Sequence, residues 1–334
     1  MDEKILLSHG AGGRQAETLI REEIIRPLQN QWLMRREDSA VMDFNGKMAF
    51  TTDSHVVSPL FFPGGDIGRL SVCGTVNDLA MAGAQPLFLS LGLIMEEGLS
   101  LSVLRDVIAS IRKTAETAGV AVVTGDTKVV PRGQADQLYI NTAGVGKIPE
   151  GVNLSATAIQ PGDCLVINGT VGDHGLALLS CREELAFSTT LKSDCAPLHD
   201  LTATMLKAVP AIRCLRDPTR GGLATTINEW ADQSGCAIRL WEKSLPMRPE
   251  VLAAAEMLGL DPLYSANEGK LVAAVPEEEV DRVLSVMRDH PLGKDAAVIG
   301  QAENGRAGRV VMTTVLGTSR IVEMPAGNPY PRIC

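Results

Sequence analysis

Between residues 39 and 58 apolar and polar positions alternate on both sides of an Asn45-Gly46 pair, with SAVMDF before it and KMAFTTDSHVVS after it. Period-two alternation across an Asn-Gly pair predicts a β-hairpin, because that dipeptide accepts the positive-φ turn that two twisted strands need. The period then lengthens. From Asp66 to Ala84 small and apolar residues recur at helical spacing, and from Ser100 to Ala118 the residues Leu101, Leu104, Ile108, Ile111 and Ala115 share one face of a second helix. The runs VAVVTG (120–125) and QLYINTAGVGKI (137–148) predict further strands. Between 149 and 163 the stretch PEGVNLSATAIQPGD loses its period and carries Pro-containing turns, which marks a domain boundary. A second unit follows, with strand DCLVING, helices near 173–184, 196–208, 221–234 and 277–289, and strands near 236–241, 270–275, 296–302 and 308–316. Hairpins with segregated helices predict an α/β protein of the α+β type rather than a doubly wound parallel sheet. The expected order is a glycine-rich segment (1–37), a first α/β domain (38–150), a second (151–316) and a mobile tail (317–334), where Gly317, Pro325, Gly327, Pro329 and Pro331 interrupt any period.

Composition narrows the function. A net charge of -9 argues against a nucleic-acid surface, which needs stripes of Lys and Arg. Seven scattered cysteines with no C-x-x-C pair fit a reducing cytoplasm better than a disulfide framework or a zinc site. The apolar run near the N-terminus is too short for a signal peptide, and no window approaches 18 uninterrupted apolar residues, so a cytoplasmic location with no membrane contact is expected.

Three glycine-rich turns are candidate phosphate cradles: HGAGG (9–13, with Gly10, Gly12 and Gly13), GTVGDHG (169–175) and DPTRGG (217–222). Glycine lets backbone N–H groups approach phosphate oxygens, although a glycine turn is more often only a turn. None fits a P-loop or a dinucleotide fingerprint. Asp38, Asp53, Asp78 and Asp126 stand at strand ends or beside small residues in the first domain, where each is either a Mg²⁺ ligand or a capping residue. In TGDTKVV the two-residue spacing places Asp126 and Lys128 on one face of an extended chain. Glu268, in a short polar turn of YSANEGKL, is either a partly desolvated general base or a loop charge. The histidines form no Ser/His/Asp or H-E-x-x-H arrangement. Cys334 ends a tail, NPYPRIC, whose last 18 residues span up to about 60 Å when extended. It is an incidental thiol or an attachment point. Prenylation is excluded because Pro331 stands four residues from the end, where that motif needs its cysteine.

Together, HGAGG, EDSA, TTDS, VNDLAMAGA, TGDTKVV, DPTRGG, ANEGKL and the terminal PRIC resemble the HypE family of hydrogenase maturation factors, over essentially the whole chain. DPTRGG and the VND element are shared with the wider superfamily of aminoimidazole ribonucleotide synthetase and selenophosphate synthetase. The resemblance implies a two-domain PurM-like fold and a homodimer whose first domains pair into a β-barrel, with ATP in the cleft beside it. It further implies that Cys334 receives a carbamoyl group from the carbamoyltransferase HypF. ATP-dependent dehydration then gives a thiocyanate, whose cyanide passes to a HypC–HypD scaffold building the [NiFe] centre. Mapped here, Asp38, Asp53, Asp78 and Asp126 match the Mg-ATP carboxylates, and Gly10, Gly12 and Gly13 a phosphate cover. Lys128 and Glu268 match residues around the carbamoyl group, with Glu268 as base for the N–H proton and a cationic Lys128 stabilising the developing charge, or with these roles exchanged or coupled. Glu37 stands where the superfamily often has a second aspartate, and its role is open. Selenophosphate chemistry is disfavoured because Arg14-Gln15-Ala16 follows the first glycine turn instead of a Cys near a Lys. A small-molecule synthetase or kinase of the same fold, or a carrier module without catalysis, is the alternative.

Overall fold

The computed structural model describes residues 3–11, 13–37, 39–182, 190–325 and 327; Gly12, Asp38 and Cys334 lie outside the described residues. The first half runs through α1 (Arg14–Leu19), β1 (Lys47–His55), a two-rung hairpin of β2 (Phe61–Phe62) and β3 (Gly65–Asp66), α2 (Ile67–Met81), β4 (Gln85–Glu96), α3 (Leu101–Ala118), β5 (Ala121–Val130) and β6 (Leu138–Ile148). Its sheet has the order β1-β6-β4-β5, in which only β4 and β5 are parallel. The sheet is open, with β1 and β5 at its edges.

Capping explains both helices. The Asp66 carboxylate accepts from the N–H groups of Gly68 and Arg69 at 2.8 and 3.1 Å, starting α2, while its second oxygen accepts from Ser110 of α3 at 2.6 Å. Ser100 caps α3, and Gly119 ends it in the left-handed region at φ 66°. Helix α3 is amphipathic and buries one face; α2 is buried nearly all round, because it lies between the first sheet and the second domain.

Two expectations need correction. The stretch before Asn45-Gly46 forms no strand: β1 starts at Lys47 and pairs with β6, while Val41 is 68% exposed, so its alternating apolar residues have no layer to cover. Strand β4, inside the sheet, carries a nearly continuous apolar run after Pro86, broken only by Ser90 and Gly92, and period alone does not reveal it.

The second half comprises β7 (Cys164–Ile167), α4 (Asp173–Ser180), α5 (His199–Ala208), β8 (Cys214–Arg216), α6 (Gly222–Ser234), β9 (Ala237–Trp241), α7 (Pro249–Leu258), β10 (Val272–Val275), α8 (Val280–Asp289), β11 (Ala297–Glu303), β12 (Val310–Thr313) and β13 (Ser319–Ile321). The strand order is β13-β12-β9-β11-β7-β10-β8, antiparallel except for β9 and β12. Alternate residues of β7 and β10 face two cores: Leu165, Ile167, Val272 and Ala274 meet α6 and its buried Trp230, whereas Val166, Ala273 and Val275 meet α5 and α8. Ala80 and Met81 of α2 enter that latter core, and Leu176–Leu179 of α4 join the core of the first half. The layers are therefore packed together through α2 and α4. Order also extends past residue 316, since β13 pairs with β12 and Arg320 bonds Asp261 at 2.7 Å.

Candidate active site at the domain junction

Strand β1 directs Thr51, Asp53 and His55 toward α2, where Gly74 leaves room for them: a Cβ there would sit 2.9 Å from the His55 ring and 3.1 Å from an Asp53 oxygen. Thr51 donates its hydroxyl to Asp78 Oδ2 at 2.8 Å, and the Asp53 carboxylate lies 3.6 Å from His55 Nε2. Desolvation raises the Asp78 carboxyl above its ordinary range and Asp53 adds to this, while Thr51, Arg216 and Arg220 oppose it. His55 is pushed the other way, chiefly by burial, and so favours its neutral form.

The second domain brings two acids to the same place. Asp217, in the DPTRGG turn, is pushed up to about 7 by burial and then by Asp78. The turn sits tightly there: Gly221 and Gly222 both have positive φ, and a Cβ on Gly222 would meet the carbonyls of Leu263 and Ser265 at 2.5 Å. Glu268 is 5% exposed, and its carboxyl lies well above the usual range, first through burial and then through Asp217, Asp194, Asp53 and Cys73. The Glu268 main chain is pinned: its carbonyl accepts from Asn77 of α2 and from Ala196 N, and its N–H donates to Asp194. Asn77 also bonds the Ala196 carbonyl and the Leu198 N–H, so α2 holds both second-domain loops beside Asp78.

Asp126 and Lys128 form a different group. Their side chains meet at 2.5 Å and stay mostly exposed, and the Lys128 contact holds the Asp126 carboxyl below its usual range. In register Asp126 lies beside Gly92, Asn141 and Ser54, so it belongs to the sheet face opposite Asp53. Three strand spacings separate it from β1, about 14 Å. Gly10 lies against the same strand but not the same face: a Cβ there would lie 2.9 Å from Val129, which alternates with Asp126 and Lys128, so the first glycine turn rests directly on β5. Gly13 faces open space. The chain thus brings Asp53, Asp78 and Glu268 together and places Asp126 and Lys128 elsewhere, with Gly10 resting on the same strand.

The histidines of the glycine turns have structural roles. His9 accepts from Leu6 N at 3.0 Å, and His174 is fully buried, bonded to Ser193 at 2.8 Å and stacked edge-on against Phe62. Sequence reasoning missed Asp217 as a carboxylate of the site, although DPTRGG was visible as a turn. It also missed Asp194, Lys270 and Asn77, whose contacts span 74 residues or more and have no local signal apart from the polar ANEGK run.

Among the described residues, no three His, Cys, Asp or Glu side chains converge into a finished metal cage. The junction still fits Mg²⁺: Asp53, Asp78 and Thr51 offer oxygen donors only, and this ion is held by one or two carboxylates together with phosphate oxygens and water. No helix among the described residues is long and apolar enough to cross a membrane.

Residues 36–148 match the N-terminal domain, and residues 160–313 the C-terminal domain, of the AIR synthase related proteins. Fold and junction therefore define a two-domain PurM-like protein of that class. Carbamoyl dehydratase HypE of Azotobacter vinelandii is 52% identical over 98% of this chain and 96% of its own length. A crystal structure of hydrogenase maturation protein HypE in complex with ATP superposes with a TM-score of 0.94 at 47% identity, covering 97% of this chain and 98% of that one. A HypE–HypF complex matches with a TM-score of 0.81 at 45% identity, over 92% and 99%. The chain belongs to the HypE family of carbamoyl dehydratases, enzymes of hydrogenase maturation.

Proposed function

We propose that the protein uses ATP to dehydrate an S-carbamoyl group on its own Cys334 to a thiocyanate. The observation that carries this reading is Glu268: a buried carboxyl, raised far above its ordinary range, facing the acids that suit a Mg-ATP site. An amide oxygen is a poor leaving group. Transfer of the γ-phosphoryl group to it, with one N–H proton released to water, gives an iminophosphate, which expels phosphate as the remaining N–H proton is removed. Glu268 takes that proton; a carboxylate with a raised pKa is a stronger base than an exposed one. Bound Mg²⁺ would neutralise the phosphate charge, held by Asp53 and Asp78 with Asp38 and Asp126 as further ligands. Asn77 and Thr51 orient this acid set, and Lys128 stabilises charge developing on the transferred group. Gly10, Gly12 and Gly13 cover the phosphates.

The tail can deliver the substrate. Tyr264, four residues before Glu268, donates its hydroxyl to the Glu323 carbonyl at 2.9 Å. The eleven residues beyond reach up to about 36 Å. A homodimer completes the site: the open face of the first sheet carries Met48, Phe50 and Ile94, 54, 66 and 41% exposed, and pairing two such faces builds the barrel. In that arrangement the Asp126–Lys128 group serves the junction of the partner subunit. HypF supplies the carbamoyl group, HypC–HypD accepts the cyanide, and the work proceeds in the cytoplasm.

The test separates the two steps. Glu268→Gln incubated with carbamoyl phosphate, ATP and HypF should accumulate the carbamoylated terminal peptide without losing water. Normal water loss in this variant removes Glu268 from the mechanism.

A further inference from the structure

The loop that carries Glu268 rests on a buried ion pair for which the chemistry above has no role. Asp194 uses one carboxylate oxygen to accept from the Glu268 N–H at 3.0 Å and the other to accept from Lys270 Nζ at 2.9 Å. The side chains are 4 and 10% exposed, and Lys270 reaches a third buried charge, Asp173, at 3.8 Å. Burial works against the Asp194 charge, yet Lys270 and His174 hold its carboxyl below the usual range. Gly269 lets the two loops touch: a Cβ there would lie 1.8 Å from the Asp194 carbonyl. Asn267 fixes the other side, accepting from Gly172 N at 2.7 Å and donating to the Pro218 carbonyl at 3.1 Å.

A buried ion pair is a weak source of net stability, because desolvation cancels most of its attraction and apolar replacements often do as well. This pair does something an apolar one cannot, since only an acceptor at position 194 satisfies the Glu268 N–H. We propose that Asp194, charged and oriented by Lys270, is the positioning residue for Glu268, fixing the main chain from which that side chain reaches the carbamoyl group. The inference rests on the reading of Glu268 as the base.

Two double variants of the full chain test it, both removing the Asp194–Lys270 pair whole while Asp173 keeps Arg248 at 3.4 Å. D194N/K270M keeps an acceptor for the Glu268 N–H, and D194L/K270M removes it. The first should dehydrate within about 5-fold of wild type, and the second should lose about 30- to 100-fold in kcat, the scale of a slightly misplaced catalytic group. KM for ATP and HypF-dependent carbamoylation should match in the two. Equal kcat in both variants overturns the positioning role. Should the leucine variant fail to fold, hydrogen exchange of the Glu268 amide in Lys270→Met serves instead: lost protection together with lost kcat supports the role, and a protected amide with lost kcat overturns it. Glu268→Gln in the same assay keeps the two readings apart, because its normal activity overturns the base itself, whatever the Asp194 variants do.

Discussion

Glu268 is buried, and other acids crowd it, so its carboxyl holds its proton to unusually high pH. A group with a raised pKa becomes a base only as pH climbs, and the dehydration rate should therefore rise with pH well above the range in which an ordinary carboxylate titrates. A rate that is flat or falls above that range contradicts the assignment. Glu268→Gln should lower the rate by at least about 100-fold while leaving ATP binding intact, as read by single-turnover mass analysis and calorimetry. Lys128→Ala should also permit carbamoylation and slow water loss. Lys128 is exposed and already paired with Asp126, so the variant should leave melting temperature unchanged.

Helix α2 is the element on which the junction depends. It presents Asp78 to the first domain and Asn77 to the second, and Asn77 alone bonds two carbonyls and one N–H of the Ala196 and Glu268 loops. Asn77→Ala strands these buried groups and should cost about 2–3 kcal/mol in urea unfolding. An unchanged midpoint would show that the loops hold themselves. Gly74→Ala should also impair the site, because its Cβ enters the space of His55 and Asp53. Helix α3 was legible because Leu101, Leu104, Ile108 and Ile111 repeat at helical spacing and Ser100 and Gly119 bracket them. Strand β4 was not, since its part-exposed face also carries apolar residues, Phe88 and Ile94 among them, so the sequence shows an apolar run although only one face is fully buried. Glu268 and the aspartates stood in recognisable local motifs, whereas Asp194 becomes meaningful only when chain 74 residues away folds onto it. The expected hairpin failed for a related reason: alternation around Asn45-Gly46 describes a strand in want of a covering layer, and the layer is absent on the SAVMDF side.

At the scale of the whole molecule, one chain carries two groups on opposite sides of a sheet, Asp53, Asp78 and Glu268 at the junction and Asp126 and Lys128 on the open face of β5. A homodimer that unites them across subunits has a direct consequence. Asp53→Asn and Asp126→Asn should each be inactive alone, and mixed, re-equilibrated dimers should recover about one quarter of wild-type activity, in which one of two sites is intact in half of the molecules. No recovery would place both groups in the service of one subunit's own site. On the proposed reading enzyme and substrate are one molecule, and the central claim is that Cys334 is where the chemistry occurs. Intact-mass measurement of the wild-type chain after HypF-dependent carbamoylation, before and after ATP, tests this most directly. The terminal peptide should gain one carbamoyl group and then, with ATP, lose one water; a label on another residue, or a carbamoyl group on Cys334 that ATP leaves unchanged, contradicts it.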